Sequence, residues 1–202
     1  MDRGWKNWRV LAIVKPGVRL FLSGITKIFM QYFDNILDKN KFHGFMHSRG
    51  VTTYWKEIFV NNYLEKEVII ELDFSACFNN IRKAPLIESL IDKYKVPEKY
   101  VKLVLCHLNA EISQKAYKEL PSLDGIIERF FNQDFNLEER NLIQGLPICP
   151  LLANLAIKNG LDDVIEELIL DEKEFKYLTY ADDLSFFLNL KEFDKIGGIN
   201  FK

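Results

Sequence analysis

Tyr180-Ala181-Asp182-Asp183 stands between two apolar runs, Phe175 to Tyr180 and Leu184 to Leu188. Both runs are rich in aromatic and β-favouring residues, so each is expected to be a strand, with the two carboxylates at or beside a hairpin turn. A tight turn between core strands is rigid and can hold acidic side chains together at one edge of a sheet, as a divalent-metal site requires. Asp-Asp is also ordinary turn chemistry, so the pair alone leaves both readings open. The stretch that decides between them lies upstream. Val68-Ile69-Ile70-Glu71-Leu72-Asp73-Phe74 reads as a strand of the buried type that ends in an acid. Adjacent strands of one sheet can bring Asp73 to Asp182 and Asp183. Converging carboxylates cannot all stay ionised without a cation, and Mg²⁺, held by few carboxylates together with substrate phosphates, suits such a cluster.

The chain of 202 residues is 48% hydrophobic, enough for one sizeable core or one domain with a small appended lobe. It has no run of 18 apolar residues, so no transmembrane helix is expected, and Met1-Asp2-Arg3-Gly4 does not open a signal peptide. Cys77, Cys106 and Cys149 form no CxxC pair, which argues against structural zinc and for core thiols in a reducing compartment. Net charge is −2, but residues 1–60 hold ten Lys/Arg against four Asp/Glu and residues 61–202 hold 17 against 25. Such asymmetry fits a polyanion-facing lobe joined to a metal-holding lobe.

Outward from the acids, Val10 to Val14 is expected as a strand, Leu20 to Leu37 as a helix and Phe42 to Gly50 as a loop. Val51 to Leu64 is expected as a helix with Trp55, Ile58 and Phe59 inward. Short helices follow over Leu86 to Tyr94 and Glu98 to Leu108, while residues 110–140 are less regular. Asn141 to Pro150 is a Gly/Pro loop feeding a helix from Leu151 to about Leu170. Asp162, Asp163, Glu166 and Glu167 would form that helix's solvated face. His43 and His47 read as loop-packing or phosphate-facing residues rather than metal ligands.

Three ordered segments carry a resemblance. Leu72-Asp73-Phe74-Ser75-Ala76-Cys77-Phe78-Asn79-Asn80-Ile81 resembles polymerase motif A, and Gln144-Gly145-Leu146-Pro147-Ile148-Cys149-Pro150-Leu151-Leu152-Ala153-Asn154 resembles motif B of reverse transcriptases. Tyr180-Ala181-Asp182-Asp183 resembles their motif C. The segment from His43-Gly44-Phe45 to Arg49-Gly50 is similar to the fingers of group II intron maturases and mitochondrial-type enzymes, and the strand bearing Arg9, with the later Arg19, resembles their earlier fingers block. Motif B usually has Ser where Cys149 stands, and a thiol caps the following helix less well.

The resemblance implies an α+β fold: a right-hand polymerase palm, with an antiparallel sheet and helices on one face, over residues 67–202, and partial fingers over residues 1–66. Asp73 and Asp182 would be metal ligands, Asp183 the supporting second acid of motif C, and the Phe74 carbonyl a further oxygen ligand. Phe78 would be the steric gate against a 2′-hydroxyl. Gln144 and Gly145 would line the nucleotide pocket, and Arg9 and Arg19, with Lys6, would meet the triphosphate. The implied cofactor is Mg²⁺, two ions, with Mn²⁺ as a substitute. Implied partners are an RNA template, a DNA or RNA primer, dNTPs, and intron RNA or a separate thumb or maturase polypeptide, with no membrane.

The implied activity is RNA-directed DNA synthesis, rather than RNA synthesis on RNA, because motif C is Tyr-Ala-Asp-Asp and Phe78 fits a sugar gate. Gly197 to Lys202 resembles the start of motif D, reached early, so no thumb is expected. That leaves a second reading, a truncated non-catalytic homologue that binds RNA or a ribonucleoprotein. The abundance of Phe, Ile, Lys and Asn fits an AT-rich genome and, with the resemblance, a mitochondrial gene.

Overall fold

The computed structural model describes residues 13–74, 77–108, 142, 144–168 and 175–196. The expected strand over Val10 to Val14 lies mostly outside them, as do residues 110–140, and Ile13 and Val14 are not in a strand. The chain divides into two compact units, one of residues 1–25 and 78–149, the other of residues 26–77 and 150–202.

The second unit holds the sheet. Its strands are β1 (Val68–Asp73), β2 (Phe175–Tyr180) and β3 (Asp183–Leu188), all antiparallel, in the order β1-β3-β2. β3 is central and accordingly near-continuously apolar, with Leu184, Phe187 and Leu188 buried. Among the described residues β1 is an edge strand, and its half-open burial corrects the expectation of a fully buried one. Its residues alternate between partly covered and exposed, and Ile69 and Glu71 remain open to solvent.

Helix α1 (Pro16–Phe33) begins earlier and ends earlier than periodicity predicts. Its C-terminal half sets Phe29 and Phe33 in the core, rings 5.9 Å apart. The loop from Phe42 to Gly50 is as expected and leads into α2 (Val51–Val60), followed by a short 3₁₀ turn. The Gly50 N–H is taken by the Thr53 hydroxyl oxygen at 2.9 Å, which closes the helix start. Ile58 packs with Leu178 and Phe187 on one sheet face, flanked by Tyr54 and Tyr63. Burying an aliphatic side chain of this kind contributes about 1.5–3 kcal/mol.

Trp55 and Phe59 are not inward: they are 50% and 62% exposed, stacked on one another with ring centroids 6.1 Å apart. Tyr54/Ile58 and Trp55/Phe59 both satisfy an i, i+4 stripe, one helical position apart, and periodicity cannot choose between them. The sheet chooses the first.

α3 (Cys77–Asn80) is one turn, α4 (Lys83–Glu88) runs on into a π-helical turn, and α5 (Glu98–Leu108) follows Pro97 as expected. α6 (Cys149–Leu168) buries Leu151, Leu152, Leu155 and Leu161. Asp163 and Glu166 are exposed, and Asp162 pairs with Lys158 one turn earlier. The side chain of Glu167 is outside those described. α7 (Leu190–Ile196) starts with the Leu190 N–H on the Glu67 carboxylate at 2.6 Å. Among the described residues no helix is long and apolar enough to cross a membrane.

Candidate active site

The register of β1 on β3 pairs Asp73 with Asp183 and Glu71 with Ser185. Directly opposed residues of an antiparallel pair share a face, so two carboxylates stand side by side at the end of the ladder. Ala181 and Asp182 form the two-residue turn between β2 and β3, Tyr180 and Asp183 being the last paired positions. Ala181 carries φ 57°, the left-handed value that a type II′ hairpin takes at its first turn position. The Phe74 N–H donates to the Asp182 carbonyl at 3.1 Å, so the acid turn is tied to the residue after Asp73. The Phe74 carbonyl accepts from the Cys77 N–H at 3.0 Å, and a carbonyl has a second lone pair to offer.

Charge crowding is visible in this arrangement. The Asp183 carboxyl is pushed above the usual carboxylate range, first by loss of solvent and then by the charges of Asp182, Asp73 and Glu71. Cys77, buried beside them, has its thiol raised to about 11, by burial first and then by Asp182 and Asp73. A thiol held protonated in this way is neither a nucleophile nor a soft-metal ligand. Cys149 is likewise buried and is in no disulfide among the described residues, and the side chain of Cys106 lies outside those described. Among the described residues no three carboxylate, thiol or imidazole groups are gathered closely enough to hold a metal ion as they stand. The donor chemistry nonetheless fits a hard cation. Every group is an oxygen, the charges of Asp182, Asp73 and Glu71 bear on the Asp183 carboxyl, and Mg²⁺ typically takes only one or two protein carboxylates and completes its shell with water and phosphate.

A brace that sequence reasoning missed holds the acid turn from behind. The His43 N–H donates to the Thr179 carbonyl at 3.0 Å and the Thr179 N–H to the Lys41 carbonyl at 2.7 Å, so the loop pairs with β2 as a short parallel rail. Gly44 then lies against Ala181: a Cβ there would collide with the Ala181 nitrogen and stand 2.8 Å from its Cα. His43 is 2% exposed, with Nδ1 3.1 Å from the Thr53 hydroxyl and Nε2 3.3 Å from the Asn40 carbonyl. It is a packing residue, and its ring stands edge-on to Tyr54. The Tyr54 hydroxyl is 2.7 Å from Ser185 Oγ, the one polar side chain between Asp183 and Leu188. Arg49 closes the loop with a 2.8 Å bond to the Phe42 carbonyl and an ion pair to Asp34 at 3.9 Å. Two signals in the chain pointed here, the glycine of His43-Gly44-Phe45 and a lone serine in an apolar central strand.

The remaining expected site residues belong to the other unit. Phe78, in α3, accepts the Leu142 N–H at 3.0 Å through its carbonyl, which straps the end of motif A to the start of the motif B loop. Gly145 has φ 107° and is exposed, a backbone state that favours glycine. Gln144 is partly exposed, and Arg19 is exposed on the first turn of α1. Arg9 and Lys6 lie outside the described residues. Asp73, Phe74, Asp182 and Asp183 are thus brought together within one unit.

A small antiparallel sheet that offers acids from a strand end and a neighbouring hairpin, with helices around it, is a palm-like α+β domain of a nucleotidyltransferase. Residues 2–194 match the family model for reverse transcriptase (RNA-dependent DNA polymerase), and the chain belongs to that family. Family membership implies binding of a nucleic-acid template and primer and general dependence on a divalent metal. No curated protein matches the chain.

Proposed function

We propose that this chain is the catalytic core of an RNA-directed DNA polymerase, with residues 1–66 as partial fingers and residues 67–202 as palm. The observation that carries the reading is the register that pairs Asp73 with Asp183 while the adjoining turn holds Asp182. Asp73 and Asp182 hold Mg²⁺, for which Mn²⁺ can substitute, with the Phe74 carbonyl as a further ligand and Asp183 as supporting charge. The ions, when bound, supply charge neutralisation at the attacking and leaving oxygens of an in-line displacement. The protein's part is to position: a primer 3′-hydroxyl is aligned on the α-phosphate of a dNTP, its oxygen displacing pyrophosphate. Phe78 excludes the 2′-hydroxyl, Gln144 and Gly145 line the nucleotide pocket, and Arg9 and Arg19 meet the triphosphate.

The motif wording supports the group II intron and mitochondrial type, with intron RNA or a separate thumb or maturase polypeptide as partner and the mitochondrion as location. Primer extension by the purified chain on an RNA template with Mg²⁺ tests the reading. Extension with dNTPs but not rNTPs is expected. Asp73→Asn and Asp182→Asn should each lower it by roughly 10²–10³-fold or more, as loss of transition-state charge stabilisation does. A folded wild-type chain that binds RNA but extends no primer would replace this reading with that of a non-catalytic RNA-binding homologue.

A further inference from the structure

Asn154 interrupts the apolar run Leu151-Leu152-Ala153-Asn154-Leu155-Ala156-Ile157 of α6 and is only 1% exposed. Its side-chain amide donates to the Gly44 carbonyl at 2.6 Å. Its Oδ1 is buried and has no hydrogen-bond partner among the described residues. The net gain from one neutral hydrogen bond is about matched by the cost of one unmet buried acceptor. An apolar side chain of similar shape would remove the unmet Oδ1 while taking the amide donor from the buried Gly44 carbonyl, and these two changes about offset each other in the stability of the fold.

What Asn154 secures is a place. Gly44 is the residue whose missing Cβ lets the loop touch Ala181, and Ala181 is the strained first position of the turn that carries Asp182. A continuous contact path runs from α6 through Asn154, Gly44 and Ala181 to the acid turn, inside one compact unit. Lys41 and His43, just ahead of the contact in the chain, are bonded to Thr179 of β2 and keep the loop from sliding along it.

We propose that Asn154 is a positioning residue for the acid turn. It acts through the Gly44 carbonyl and sets where Asp182 stands relative to Asp73, without itself touching substrate or metal. This rests on the reading of those acids as a divalent-cation site.

The test is Mn²⁺ binding by the full chain, read from the electron-paramagnetic signal of the free ion, with melting temperature recorded on the same samples. Asn154→Leu and Asn154→Ser are compared with wild type. Asn154→Leu is expected to melt within a few degrees of wild type yet bind Mn²⁺ about tenfold more weakly, the lower end of what loss of an outer-shell orienting contact costs. Asn154→Ser, short enough to admit a water onto the Gly44 carbonyl, should recover part of that loss, and it carries the comparison if the leucine variant does not fold. Unchanged Mn²⁺ affinity in a folded variant would make Asn154 a packing residue only and overturn the proposal, as would a wild type that binds no Mn²⁺ through Asp73 and Asp182. Primer extension separates the two readings. A wild type that binds Mn²⁺ but extends nothing ends the polymerase reading and leaves this one standing. An active wild type whose leucine variant binds Mn²⁺ normally does the reverse.

Discussion

Asp73 and Asp183 are cross-strand partners at the end of the β1–β3 ladder, and the Asp183 carboxyl is held above its ordinary range by solvent loss and by the acids around it. A carboxyl raised in the folded state stabilises at low pH, and that contribution is lost as pH rises through its folded value. In metal-free protein at neutral pH, Asp183→Asn should therefore raise the melting temperature. Mg²⁺ should raise the melting temperature of the wild type and do so less in Asp183→Asn and Asp73→Asn. Thermal melts with and without Mg²⁺ from pH 5 to 8 check both signs. Equal Mg²⁺ shifts in all three proteins would show that the ion binds elsewhere.

Gly44→Ala should cost about 1–3 kcal/mol, the usual cost of overpacking, because the new methyl meets the backbone of Ala181 rather than a yielding side chain. Gly24→Ala is the control: it lies within α1 with nothing within 4 Å of the added carbon. That change should stabilise by about 0.5–1 kcal/mol through helix propensity. Urea unfolding of the two variants should move in opposite directions.

His43 is held below the ordinary histidine range, chiefly by burial and further by the nearby Arg49 charge, with the Asn40 carbonyl and Asp38 acting against them. A histidine lowered in the folded state stabilises above its unfolded value, and the contribution is lost as pH falls through that value toward the folded one. The unfolding free energy should drop as pH falls below the ordinary histidine range, and His43→Gln should flatten that drop. Denaturant titrations across pH 5 to 7.5 give the comparison, and a wild-type profile matching that of His43→Gln would assign the dependence to other groups.

Ile58→Ala should cost about 2–5 kcal/mol, since it empties the contact with Leu178 and Phe187 beneath α2. Phe59→Ala, one position on and 62% exposed, should change stability by no more than about 0.5 kcal/mol. Chemical denaturation of the pair tests which stripe of α2 faces the sheet.

The hairpin was legible because its signals are local: two β-rich runs of six residues and a two-residue turn between them. α5 was legible for the same reason, with Pro97 before it and an amphipathic period within it. The inward stripe of α2 was not, because two stripes a residue apart satisfy the same period and only the sheet selects one. The edge position of β1 was equally hidden, since a short apolar run reads alike at the centre and the margin of a sheet. Among site residues, Asp73, Asp182 and Asp183 stood out as acids at strand ends. Asn154 and Tyr54 act through partners 110 and 131 residues away, and no local pattern names such a partner.

By itself the amino-acid order determined the hairpin strands, the helices α2, α5 and α6 to within a few residues, the family motifs and the identity of the acids, because propensity, turn chemistry and residue type are properties of a few neighbouring residues. Only the tertiary structure decided that Asp183, rather than Asp182, faces Asp73 across the ladder, and that Gly44 is pressed against the acid turn with Asn154 holding it there. Strand register and close backbone approach depend on how segments far apart in the chain pack, and that is settled by the burial of Leu178, Phe187 and Ile58 together.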